Sequence, residues 1–186
     1  MAISLARYNF FISLELLKTL VAKGMKCIVL CPGSRSGPLA LAAASLSKKK
    51  ELTLITSIDE RSAAFLALGI SAASGNVTGV ITTSGSAVAN LLPAAVEADR
   101  SCHPLLFLTA DRPARLKECG ANQAVNQQDF LKSVCRHFDE SPRGGIHLIT
   151  KEGLVSLVEK SIEMAIEPPG PVHVNLAYEK PLHPCQ

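Results

Sequence analysis

Apolar residues recur along the chain in two alternating rhythms. Over residues 5–23 (LARYNFFISLELLKTLVAK) they fall at helical spacing, and Gly24 supplies a stop. Lys26–Cys31 (KCIVLC) is a short unbroken apolar run of strand type, ended by the loop CPGSRSGP. The unit then repeats. An Ala/Leu-rich helix is expected over Leu39–Leu46, a strand over Glu51–Ser57 and a helix over Asp59–Ala73. A strand over Val77–Thr82 leads into one helix over Ser86–Ala98, and Pro104–Thr109 is a fourth strand. An irregular polar segment follows, then a helix over Glu152–Ile166 and a last strand over Pro171–Leu176. Short apolar strands alternating with helices predict an α/β fold, a mainly parallel sheet with helices on both faces. No solenoid-length repeat or low-complexity tract interrupts the pattern.

In such sheets ligands gather where strand ends feed loops and helix starts. Here those loops are CPGSRSGP, SIDERS, TTSGSA and TADRPARL, each more polar or glycine-rich than the strand before it. Composition narrows the chemistry they can do. With 186 residues, 47% hydrophobic and 19% charged, the chain can bury a core without staples and is too apolar for disorder. A net charge of +3, with Lys48–Lys50 as the one basic cluster, argues against nucleic acid. No apolar run reaches membrane-spanning length, and MAISLARYNFF lacks the layout of a secretory signal. Six cysteines (27, 31, 102, 119, 135 and 185) form no CxxC pair and read as reduced thiols of a cytoplasmic protein.

Each loop taken alone admits two readings. In Pro32-Gly33-Ser34-Arg35-Ser36-Gly37-Pro38, backbone amides and Arg35 could hold a carboxylate or phosphate. Equally, Ser36 could cap a helix with Pro38 in its first turn. The pattern is neither a Walker loop nor GxGxxG. In Ser57-Ile58-Asp59-Glu60-Arg61-Ser62, Asp59 can cap and Glu60 can complement the helix dipole. The apolar run Ala63–Gly69 would instead raise the pKa of a carboxylate there by desolvation. The small-residue turn Thr82–Ser86 could approach a flat ligand or serve as a capped turn. Arg112 ends the fourth strand, where it could bind an anion or pair with Asp111 or Glu118, and Asn122 and Gln123 offer amides to a polar metabolite. The five histidines are scattered; His173, inside an apolar strand, reads as a satisfied core residue. No HExxH, Cys/His cluster or GxSxG appears.

Together the loops are more specific than any one of them. PGSRS, DER, TTSGSAVANLLPAAVEA, LLFLTADRP and CGANQA, in this order and closing with GPVHVNLAYEKPLHP, resemble the 2-succinyl-5-enolpyruvyl-6-hydroxy-3-cyclohexene-1-carboxylate (SEPHCHC) synthases. These are thiamine-diphosphate enzymes of menaquinone and phylloquinone synthesis. The resemblance runs from about residue 5 to that closing segment, and it implies that residues 1–186 are the amino-terminal pyrimidine-binding (PYR) domain. Family members continue into a middle domain and a pyrophosphate-binding domain whose GDG…N holds magnesium and the diphosphate; no GDG occurs here.

The resemblance implies a reaction in which 2-oxoglutarate is decarboxylated on thiamine diphosphate and the succinyl carbanion equivalent adds to isochorismate. It implies that Glu60 hydrogen-bonds N1′ of the aminopyrimidine. Pro32, Thr83 and Ser84 would lie against the cofactor, and Ser34, Arg35, Arg112, Asn122 and Gln123 against the substrate, with no metal ligand in this chain. Arg61 and Asp111 match motif positions and would orient loops. Ala114-Arg115 departs from the Pro-Glu common in the family, and Ser62-Ala63-Ala64 falls where members vary. A homo-oligomer, dimer or tetramer, and no activity of the fragment alone are the further expectations. The alternatives are the PYR domain of an acetolactate synthase-like enzyme and a non-catalytic anion-binding module.

Overall fold

A computed structural model describes residues 4–117 and 119–183. Among the described residues six strands form one sheet in the order β2-β1-β3-β4-β6-β5. They are β1 (Cys27–Leu30), β2 (Thr53–Thr56), β3 (Thr78–Thr82), β4 (Leu105–Asp111), β5 (His137–Glu140) and β6 (Pro171–Ala177). Every pairing is parallel, for example Val29 with Val80 and Phe107 with His173.

Parallel strands need crossovers, and the helices supply them. One face is covered by α1 (Leu5–Ala22), α2 (Gly37–Lys48) and α6 (Lys151–Ile166), packed on Ile28, Leu106, Leu108, Val172 and Val174. The other is covered by α3 (Glu60–Ser74) and α5 (Leu92–Arg100), packed on Val29, Val80, Leu105 and Phe107. Neighbouring strand residues thus point to opposite cores, which is why these strands read as continuous apolar runs. The α/β class and the parallel sheet agree with the expectation.

Two expected elements differ. The helix predicted over Ser86–Ala98 is two helices, α4 (Ser86–Ala89) and α5, broken at Asn90–Leu91. Pro93 causes the break: it lacks an N–H and its ring would collide with the Ala89 carbonyl. The polar stretch expected to be irregular contains β5, an edge strand of four half-buried residues paired only with β6. The Ala114-Arg115 departure lies in a 3-10 turn over Ala114–Leu116, and Arg115 pairs with Glu179 at 2.6 Å.

The segment after β6 returns across α1. Asn9 Nδ2 donates to the carbonyls of Glu179 (2.8 Å) and Pro181 (3.2 Å), and the Ser13 hydroxyl meets the buried Tyr178 hydroxyl at 2.7 Å. Cys27, Cys31, Cys102, Cys119 and Cys135 are unpaired; Cys185 and Glu118 lie outside the described residues. No helix among the described residues is long and apolar enough to cross a membrane.

Candidate functional site

The strand order reverses direction at β1: the chain steps out to β2 and returns to β3 on the other side. A crevice is expected there, between the loops that leave β1 and β3. The two loops nearly touch, since a Cβ at Gly33 would lie 2.4 Å from Thr83 Cβ, so glycine is required. Pro32 and Ser34 are exposed at the rim, Thr83 is half-buried and Ser84 fully buried.

Arg35 lies beneath them, only 6% exposed. Its guanidinium donates to the Tyr178 carbonyl at 2.6 Å. Burial, and then the charge of Arg112, hold its pKa below the usual arginine value. Ser36 occupies the N-cap position of α2 but donates its hydroxyl to the Gly33 carbonyl at 3.1 Å, rather than capping an amide. Pro38 takes the first turn, as expected.

Asp59 caps α3, accepting from the Ser62 amide at 2.7 Å, and the Ser62 side chain, then this amide, hold its pKa below the usual value. Glu60 opens the helix, half-buried. Its charge acts on the end of β1, where the Cys31 thiol is pushed up to about 12 by burial, then by Glu60 and Asp59. Of the run Ala63–Gly69 expected to enclose Glu60, Ala63, Ala64 and Ala67 are buried while Phe65 and Leu66 are exposed on α3; Ile58, before the helix, is 89% exposed. Arg61 is exposed.

At the end of β4, Arg112 donates to the Ser84 hydroxyl and, at 3.0 Å, to the Gln123 carbonyl. It therefore joins the loop after β3 to the GANQ segment instead of pairing with Asp111. Gln123 reaches this position in the left-handed region (φ 56°), next to Gly85 (φ 88°). The side chains of Asn122 and Gln123 are exposed. Among the described residues neither Arg35 nor Arg112 forms an ion pair, unlike Arg115 and Arg143.

Behind Arg112 lies a polar network that the sequence did not reveal. Asp111, 1% exposed, accepts from the Arg112 amide (2.7 Å), Lys117 Nζ (2.7 Å) and Asn175 Nδ2 (2.8 Å). Asn175 Oδ1 accepts from the Thr109 hydroxyl (3.0 Å) and from Gln127 Nε2 (2.8 Å). Gln127 also donates to the Ala110 carbonyl (3.1 Å) and accepts from the Gly85 amide (2.9 Å). Thr109 has already given its proton to Asn175, so it accepts from His173 Nε2 at 2.7 Å. His173 is thus a core residue satisfied at one nitrogen only; Nδ1 has no partner, and burial pushes its pKa down to about 3. Period-2 placement of Thr109, His173 and Asn175 was the one available signal, since alternate strand residues share a face.

Beside this network opens a cavity of about 330 Å³, walled by Arg112, Lys117, Asn126, Gln128, Glu140 and Arg143 among others. Gln128 Oε1 is buried there without a partner. The described residues contain no group of three or more His, Cys, Asp or Glu side chains able to hold a metal. The site can therefore bind anions and polar groups on two guanidiniums, with a carboxyl at one edge.

Comparison with known proteins gives this arrangement a context. A family described as thiamine pyrophosphate enzyme, N-terminal TPP binding domain, matches residues 14–134. Two Prochlorococcus marinus proteins, from strains NATL1A and NATL2A, are 88% identical over 186 residues, all of this chain. A Synechococcus sp. (strain WH7803) protein is 62% identical over 173 residues, 93% of this chain. All three carry the name 2-succinyl-5-enolpyruvyl-6-hydroxy-3-cyclohexene-1-carboxylate synthase. The chain spans 31% of the length of the Prochlorococcus relatives and 30% of the Synechococcus one.

Proposed function

We propose a function from one premise: this chain belongs to the thiamine pyrophosphate enzymes, as their N-terminal TPP-binding domain. In this reading residues 1–186 are the PYR domain of an SEPHCHC synthase, and the middle and pyrophosphate-binding domains come from outside this sequence. The domain supplies half of the cofactor site and the first part of the substrate site. Acting within the longer enzyme, it serves the joining of 2-oxoglutarate to isochorismate.

The residues present suit such a role. The close approach of Gly33 to Thr83 presents the backbone of the loops after β1 and β3 to a ring lying against them, and the charge of Glu60 acts on Cys31 at the end of β1. Thiamine diphosphate, when bound, supplies the chemistry that decarboxylates the 2-oxo acid and delivers the succinyl group. Glu60 holds a proton between its carboxyl oxygen and N1′ of the aminopyrimidine, and Pro32, Thr83 and Ser84 line the ring's approach. Arg35 and Arg112 fork onto the carboxylates of isochorismate. Ser34, Asn122 and Gln123 add neutral hydrogen bonds that orient it. Magnesium and the diphosphate are held by the pyrophosphate-binding domain. The exposed Ile58 beside Glu60 is covered when the enzyme associates as a dimer or tetramer. Five unpaired thiols suit a reducing cytoplasm.

One observation carries the reading: Arg35 is buried beside a second arginine, its donated hydrogen bond goes to a neutral carbonyl, and the charges of Glu179 and Asp111 offset only part of the burial and the Arg112 repulsion. A buried cation is costly unless a counter-charge arrives, and a dicarboxylate substrate brings one. The test is turnover of 2-oxoglutarate and isochorismate with thiamine diphosphate and magnesium. Full-length enzyme carrying this chain should lose at least about 100-fold in kcat on Glu60→Gln, with its circular dichroism unchanged. Near-normal turnover would remove Glu60 from the mechanism, and ordinary turnover by the 186-residue chain alone would overturn the half-site reading.

A further inference from the structure

The hydrogen-bond chain running from Asp111 to Gly85 has a fixed direction. A buried carboxylate only accepts, so Asn175 must present its NH₂ to Asp111 and its oxygen to Gln127. Gln127 Nε2 is therefore committed to Asn175 Oδ1 and the Ala110 carbonyl, and its one oxygen is left for the Gly85 amide. No other orientation of either amide satisfies its neighbours. Gln127 is fully buried, so exchange of these bonds for water is not available.

Gly85 follows Ser84, whose hydroxyl receives the Arg112 guanidinium, and Arg112 follows Asp111 at the other end of the chain of bonds. Gln127 thus closes a loop that fixes both partners of one contact: Ser84 through the Gly85 amide, Arg112 through Asn175 and Asp111. Gly85 sits at φ 88° and ψ −141°, a conformation open to glycine and strained for other residues.

We propose that Gln127 is a positioning residue that holds Ser84 and Arg112 in register for an anionic substrate. This rests on the reading that Arg112 binds a substrate carboxylate. Gln127 does not touch the substrate; it sets where the Ser84 hydroxyl and the guanidinium meet.

The experiment uses full-length enzyme carrying this chain. Gln127→Leu keeps the volume and removes every side-chain hydrogen bond, and Gln127→Met is a more pliable second variant should the first fail to fold. The KM for isochorismate should rise about tenfold with kcat within about threefold of the parent. Hydrogen exchange at the Gly85 amide should quicken by about tenfold or more. Gln127→Glu keeps an acceptor for Gly85 but gives up the amide donated to Asn175 and Ala110, so KM should recover only part of the way to the parent value while the variant remains less stable, a split that a purely structural role would not give. An unchanged KM in a folded Gln127→Leu or Gln127→Met variant, with Arg112→Ala raising KM, overturns the proposal alone. An unchanged KM in both the Gln127 and the Arg112 variants overturns the carboxylate-binding reading and the proposal with it.

Discussion

The two sides of the crevice are built by opposite means. The loops after β1 and β3 are shaped by backbone, with Gly33 pressed on Thr83 and the side chains of Pro32 and Ser34 turned outward. The ends of β4 and β6 are shaped by interlocked side chains, where Asp111, Asn175, Gln127, Thr109 and His173 satisfy one another in the interior. The first side is open in that its rim side chains face outward and ask to be completed; the second is closed in that its own side chains satisfy one another, with the cavity of about 330 Å³ beside them. A site needs both, one surface to admit the ligand and one to hold the groups that meet it.

Breaking the closed side should have the largest effect. Asp111→Ala removes the acceptor of Lys117, Asn175 and the Arg112 amide together and leaves a partly buried ammonium unpaired. Unfolding in urea should show a loss of about 4 kcal/mol. A loss near zero would mean that the network is not what makes this side rigid. Breaking the open side should cost less. Gly33→Ala drives a methyl into Thr83, and a destabilisation of about 3 kcal/mol is expected, most of it recovered by adding Thr83→Gly. No recovery in the double variant would detach the two loops from each other.

Acid should separate the two sides more finely. His173 is neutral in the native state, with its pKa pushed down to about 3, whereas in the unfolded chain it titrates near 6.5. As pH falls below that value the unfolded state binds a proton that the native state refuses, so stability declines. Between pH 7 and 5 the loss should be about 2 kcal/mol, continuing down to the native pKa. His173→Gln should flatten the profile, and exchange of β4 and β6 amides should quicken before those of β1. A profile equally steep in the variant would assign acid sensitivity elsewhere.

The sequence made the open side legible because its parts are contiguous. PGSRS, DER and TTSGS are local strings whose small and charged residues stand out against apolar strands. The alternation that produced them also fixed the parallel sheet and both helical layers. The closed side was hidden because its members come from separate elements: Thr109 and Asp111 from β4, His173 and Asn175 from β6, Gln127 from a 3-10 turn. Only pairing of β4 with β6 brings them together, Thr109 opposite Asn175. β5 was missed for a related reason. Of its residues HFDE only Phe138 is apolar, and an edge strand hydrogen-bonded on one side needs no apolar run. The split of α4 from α5 was readable from Pro93, but the apolar periodicity on both sides masked it.

The contact between Gly33 and Thr83 also bears on redesign of the crevice. Two loops that leave less than a methyl group between them cannot be exchanged one at a time. A bulkier anion-binding turn transplanted after β1 would need a matching, smaller turn after β3, so substrate preference here has to be altered in coordinated pairs of segments.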